Sequence, residues 1–354
     1  MYAVITASGL SYGRFSWRRG EGMLFAKGIG ALVVTLAVFT LFSLVFPKGD
    51  QAMGGLANAA VASFLVEAIL KHILGDFAGI GFFYEIGNLA GSYSGSASAI
   101  LVGLALGMDP IFAVVGGMVC ASFGILPGFI AAYVMYFVLQ ITKYFPNGTD
   151  KIFGSLISGA GYYLIARTIA PYITDVIALV GSAITAATMQ SPVVMGFLLG
   201  GIIKVVCTSP LSSMALTAML QLKGLPMGIA CIACFGGSFT NGMIFHKLRF
   251  GDKGNLIAVM LEPLTQAEIV TKNPLPIYVS NFLGGGLSGL GAAILGIICD
   301  APGTASPIPG MLAPFAFNAP GKVVIALAAA AVCGGFAGWL VGSLFQKAGY
   351  KQVK

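Results

Sequence analysis

The sequence predicts an all-α integral membrane protein, with about ten transmembrane helices. Three observations carry that expectation. The 354 residues are 57% hydrophobic and only 9% charged, whereas soluble domains carry about 25% charged residues. Apolar runs recur at the length of about 20 residues that a helix needs to cross a bilayer, and no long polar block is left over for a separate soluble domain. The chain holds 50 glycines, far more than a simple anchor needs, and small residues let membrane helices approach closely or break. One membrane domain, residues 1–354, follows.

At the N-terminus, Arg14, Arg18, Arg19 and Lys27 precede an apolar run to Phe46. That run is too long for the h-region of a cleavable signal. It reads as a first span, 24–46, with the N-terminus inside, and Lys347, Lys351 and Lys354 place the C-terminus on the same side. Residues 55–75 carry Glu67, Lys71 and His72. Glu67 and Lys71 stand at i, i+4 and share a face, as either a solvated interfacial face or one lining a cavity. Residues 76–98 are too irregular for a span. With Glu85 and Asn88 three apart and a Gly/Ser-rich run behind them, they fit a re-entrant hairpin or an unwound helix.

Residues 99–107 are a short apolar piece stopped at Asp109-Pro110. Residues 111–141 are apolar, and Pro127 is expected to end one helix or kink a long one. Residues 143–151 are a polar loop. A span is expected over 152–172, a further helix over 173–189, and a span over 192–207 containing Lys204. A short helix with a polar head begins at Thr208, with Ser209, Ser212 and Ser213. Residues 226–245 run apolar to His246, Lys247 and Arg249, which read as a loop. A Gly-rich span covers 275–299. Residues 300–320 hold five prolines and are too broken to be one span. Residues 321–345 are the last span. The stretch 94–117 faintly echoes 209–237, each a Ser-rich head, a short apolar helix, a break and a Gly-ended span, the type of repeat that points to a transporter site.

The chemistry concentrates in 259–282, VMLEPLTQAEIVTKNPLPIYVSNF, where Glu262 and Glu268 sit among Pro263, Pro274 and Pro276. A carboxylate in hydrocarbon costs at least ~2.5–3.5 kcal/mol, so each needs a partner, water or a ligand. A carboxylate with nearby amides (Gln266, Asn273, Asn281) suits a hydroxyl-rich ligand, because hydroxyls donate and accept. The structural alternative pairs Glu268 with Lys272 at i, i+4 and Glu262 with Lys204 or backbone amides. The serines either satisfy backbone groups freed by broken helices or touch substrate. Lys204 and Arg167 either hold an anionic group or snorkel to the interface.

The six cysteines all lie in apolar runs and read as packing residues. Cys231 and Cys234, one turn apart, have no His or second Cys pair to make a metal site. The net charge of +7 reflects cytoplasmic loops, not nucleic acid. No HExxH, GxSxG or Walker motif appears, so neither an enzyme nor a cofactor is expected.

The run LEPLTQAEIVTKNPLPIYVSNFLGG, with Glu262-Pro263 and Asn273-Pro274, resembles the membrane (IIC) component of the sugar phosphotransferase system. APGTASPIPGMLA resembles that family's Thr/Pro-rich hairpin before the final span. TSPLSSMALTAMLQLKGLPMGIACIACFGG and YFPNGTDKIF look like its stand-alone, toxin-regulator-like branch. The resemblance covers about 24–346. It implies an elevator-type carrier in the bacterial inner membrane, with a scaffold-rich half (about 1–190) that forms a homodimer and a substrate-binding half (191–354) that holds the sugar between two re-entrant hairpins. It implies Glu262 hydrogen-bonded to the sugar, and a second hairpin, 300–318, bringing Thr304 and Ser306 close. Separate cytosolic phosphocarrier proteins would be partners.

The chain departs from the family in lacking the His of a Gly-His turn. GGIIKVVCTSPLSS stands there, with Lys204 and Thr208, which favours an acidic or phosphorylated ligand. The sequence therefore leaves open a sugar carrier, a ligand-binding membrane sensor, and a proton- or ion-coupled carrier using Glu262 or Glu268.

Overall fold

A computed structural model describes residues 21–146 and 148–353; Arg14, Arg18, Arg19 and Lys354 lie outside the described residues. Among these residues every named element is helical. Seven helices are long and apolar enough to cross a membrane, and three further apolar helices are shorter. The expected ten spans therefore reduce to seven of full length, because three apolar runs stop at 10–16 residues, short of the ~20 a bilayer core requires.

Helix α1 (Glu21–Val45) opens the chain. It turns outward a row of exposed apolar side chains, Val33, Val34, Val38 and Leu41 among them, as a lipid-facing helix must. Helix α2 (Gly49–Ala60) continues through two π-helical stretches, Val61–Leu65 and Ala68–Phe77. Residues 76–98, expected to be irregular, are mostly helical: α3 (Gly81–Ser92) and α4 (Ser94–Ala105) meet at Tyr93. The Gly/Ser content reflects close packing here, since a Cβ on Gly87 would fall on the backbone of Lys71.

Helix α5 (Pro110–Val119) is capped by Asp109, which accepts from the Ile111 amide. Helix α6 (Ile125–Val138) follows. Pro127 therefore neither ends nor kinks a helix. It lies in the first turn of α6, where a missing N–H costs nothing, and the break falls at 120–124. Helix α7 (Asp150–Thr188) runs unbroken through Pro171 for 39 residues, joining the two helices expected over 152–189.

The second half comprises α8 (Pro192–Cys207), α9 (Ser213–Met219), α10 (Gly224–Leu248), α11 (Lys253–Leu261), α12 (Ala267–Lys272), α13 (Pro274–Ile294), α14 (Pro307–Leu312) and α15 (Pro320–Lys347). Three short 3-10 turns, Leu139–Tyr144, Pro263–Gln266 and Ala313–Ala316, complete the chain. Helices α8, α10, α13 and α15 form one tight bundle, while α1 packs on α7, α2 on α4, and α4 on both α5 and α6.

Helix α10 is the most deeply enclosed long helix, with 83% of its apolar window buried. Glycines make that closeness possible. A Cβ on Gly200 of α8 would collide with the carbonyl of Gly285 of α13, and one on Gly334 of α15 with the carbonyl of Gly236 of α10. Small residues at such crossings let van der Waals packing hold membrane helices together.

Candidate functional site

Three chain breaks converge beside this bundle. The first follows α8. Backbone amides still reach its last carbonyls, and the local hydroxyls add a second bond to them: Thr208 Oγ1 donates to the Lys204 carbonyl at 3.0 Å and Ser209 Oγ to the Val206 carbonyl at 2.8 Å. Ser212 adopts a left-handed φ of 61°, which turns the chain into α9. Ser213 Oγ then donates to the Ala305 carbonyl at 2.5 Å, tying this break to the one before α14.

The second break is at Glu262. An Asp252/Asn255 capping box starts α11, and the helix ends as Glu262 turns extended at φ −146°. Pro263 then opens a 3-10 turn. Thr265 Oγ1 donates to the Glu262 carbonyl at 2.7 Å, and the Leu264 amide donates to Glu262 Oε1 at 3.4 Å. Glu262 is 5% exposed, and among the described residues its Oε2 has no hydrogen-bond partner.

The third break precedes α14. Thr304 Oγ1 donates to the Ala301 carbonyl at 2.8 Å and lies 3.4 Å from Cys231 Sγ. Ser306 is buried, and among the described residues its Oγ has no hydrogen-bond partner. Buried polar atoms are nearly always paired; Glu262 and Ser306 differ from the other unpaired residues, Ser98 and Ser238 among them, in lining one chamber together.

Glu262, Ser306, Cys207, Ser209, Ser212 and Phe64 line a small chamber of about 10 Å³, room for roughly one water. Phe64, Ser212 and Met214 also line an open cavity of about 460 Å³, well inside the ~300–1,000 Å³ of small-molecule pockets. Glu67, Lys71, His72 and Asn88 lie on that cavity's wall. Lys71 Nζ pairs with Glu67 at 2.9 Å.

The sequence-predicted residues divide. Glu262, Ser306, Ser209 and Ser212 meet in the chamber, and Asn88 lines the open cavity. Lys204 is fully buried behind the chamber, its Nζ 4.0 Å from Cys207 Sγ and its stem against Gly237. Thr208 is buried next to it. Thr304 faces a different cavity with His72. Gln266 accepts from Asn255 Nδ2 at 2.8 Å.

Glu268 pairs with Lys272 at 3.0 Å. Asn273 accepts from the Tyr350 hydroxyl and the Val353 amide and so holds the C-terminal segment. Asn281 donates to Asn241 at 2.7 Å. Glu85, Arg167 and His246 are exposed. Phe64 and Met214 were not legible in the sequence, since an apolar side chain in an apolar run gives no signal. The i, i+4 spacing of Glu67 and Lys71 did give one.

No curated protein and no solved structure matches the chain. The family described as Phosphotransferase system, EIIC matches residues 50–354. All three breaks, the chamber between them and, save the single residue Gly49, the six helices after α1 that reach full membrane-crossing length fall inside that stretch, and the chain is therefore a multi-pass membrane protein belonging to the EIIC family of the phosphotransferase system.

Proposed function

We propose that the protein carries a neutral, hydroxyl-rich small molecule such as a sugar across the membrane, with Glu262 as the central acceptor. The observation that carries this is the pair of buried, unpartnered oxygens, Glu262 Oε2 and Ser306 Oγ, facing a chamber that adjoins the 460 Å³ cavity. A ligand hydroxyl donates to the carboxylate while its own oxygen accepts from serine. Ser209 and Ser212 complete the chamber wall, and Lys204 and Thr208 stand behind it.

In this reading residues 1–190 are the scaffold and form a homodimer in a bacterial inner membrane, with both termini cytoplasmic. Residues 191–354 move as an elevator, with the segments 255–272 and 300–318 as re-entrant hairpins. Separate cytosolic phosphocarriers supply any phosphorylation. Gln266, Glu268 and Asn273 shape the hairpin, and Glu85 stays at the rim. A second reading, carriage driven by protons, draws on the same buried carboxylate; flux driven by a pH gradient alone would select it.

A thermal-shift screen of neutral sugars on purified protein identifies the ligand, and proteoliposome uptake measures transport. Glu262→Gln is expected to lower uptake about tenfold, the loss of one buried hydrogen bond to the ligand. Glu268→Gln removes only a half-exposed pair and leaves uptake within about twofold. Unchanged uptake in Glu262→Gln would sink the assignment.

A further inference from the structure

A second cavity, of about 480 Å³, lies against the 301–304 segment. Pro302 and Gly303 of this segment face the first cavity, while Ala301 and Thr304 face the second. The segment is thin and held at its base. Asp300 accepts from the Gly224 amide at 2.9 Å, and Asn318 accepts from the Ile298 amide at 3.1 Å. Its tip turns at Gly303 with φ +85°, a left-handed conformation that glycine adopts without strain.

The lining of this second cavity is of two kinds. Phe315, Phe317, Leu312 and Pro309 give apolar surface, and His72 with Asp76 gives one polar edge. His72 Nδ1 lies 2.9 Å from Asp76 Oδ2, so the carboxylate fixes the ring and leaves its other nitrogen free of that contact. The His72 side chain is 12% exposed and borders both cavities. The π-helical stretch that carries it packs on α3 at one side and α14 at the other, and π-helical turns concentrate at functional sites.

A sugar ring is itself two-sided, with C–H faces that settle on aromatic rings and a rim of hydroxyls. We propose that the cavity lined by Phe315, Phe317 and the His72–Asp76 pair is a second ligand subsite, taking the same hydroxyl-rich ring, with His72 as the specificity-determining contact between the two cavities. This rests on the reading of the protein as a carrier of such a ring, and it assigns that carrier two subsites in series, separated by the 301–304 segment. The aromatic faces accept the ring's apolar side and exclude a small inorganic ion. The imidazole, oriented by Asp76, meets a hydroxyl and gives an acyl chain nothing to bond.

Photolabelling of the full protein in nanodiscs tests it, with a diazirine-bearing glucoside and, separately, a diazirine-bearing phospholipid. The glucoside is expected to mark peptides containing 72–76 and 313–317, in competition with free glucose, in wild type and in Glu262→Gln alike. His72→Leu and Phe317→Leu should each reduce that labelling about tenfold, the size of one lost hydrogen bond or ring contact, while His72→Gln retains part of it. Labelling by the phospholipid alone would make the cavity a lipid crevice and overturn the proposal. So would labelling that vanishes in Glu262→Gln, which would mean one site only, or labelling indifferent to both His72→Leu and Phe317→Leu. Loss of uptake without loss of this labelling separates a failed carrier reading from a failed subsite.

Discussion

Glu262 and Glu268 stand six residues apart in the sequence with the same chemistry, and the structure gives them different surroundings. Glu268 is tied to Lys272 at 3.0 Å, with Asp50 also 3.9 Å from that ammonium, whereas Glu262 keeps an oxygen with no partner. The difference was legible in part, because a lysine four residues after Glu268 announces a local pair. Asn273 was not legible, since its partners Tyr350 and Val353 lie 77 and 80 residues away and no local pattern reaches so far. Its amide also donates to the Ile269 and Val353 carbonyls. Asn273→Ala should therefore release residues 350–353 and cost about 1–3 kcal/mol, the penalty of leaving buried groups unpaired. Limited proteolysis at the C-terminus and thermal unfolding measure this, with uptake retained if the residue only anchors the tail.

Helix packing follows from where glycine permits contact. Gly334 and Gly335 are neighbours on α15 with opposite surroundings: a Cβ on Gly334 would strike the Gly236 carbonyl, and one on Gly335 meets nothing within 4 Å. Gly334→Ala should force α10 and α15 apart and lower the melting temperature. Gly335→Ala should be neutral or stabilising by up to ~1 kcal/mol, because alanine is the better helix former. Equal effects of the two substitutions would refute glycine packing as the clamp.

The sequence located most helices through their apolar length and the breaks at 208, 262 and 300–306 through their hydroxyls and prolines, yet it misplaced those of the first half. Pro171 lies within α7, since a proline in a membrane helix can have its freed carbonyl satisfied locally. Tyr93, at the junction of α3 and α4, carries no breaker signal at all. Residues 76–98 looked irregular because glycine and serine serve close packing as readily as loops.

The proposed site belongs to the whole molecule, because no single half supplies it. Phe64 comes from the π-helical continuation of α2, Met214 from α9, and Glu262 and Ser306 from the breaks before the 3-10 turn and α14. Phe64, Met214 and Ser212 border both the chamber and the open cavity, and in the proposed carrier Phe64 and Met214 are the partition between the open cavity and Glu262. They also come from the two halves that an elevator would move past each other. A carrier of that kind separates these residues during its cycle, whereas a sensor that binds without transport has no need to. In a background with the native cysteines replaced, a Phe64→Cys, Met214→Cys pair bridged by a reducible bis-methanethiosulfonate linker should stop uptake, and a reductant should restore it. Ligand binding at the open cavity should persist in the cross-linked protein, because Glu67, Lys71 and Asn88 line that cavity and not the chamber. Full cross-linking with uptake unchanged would mean that the halves do not move at this seam, and that a ligand reaches Glu262 by another route.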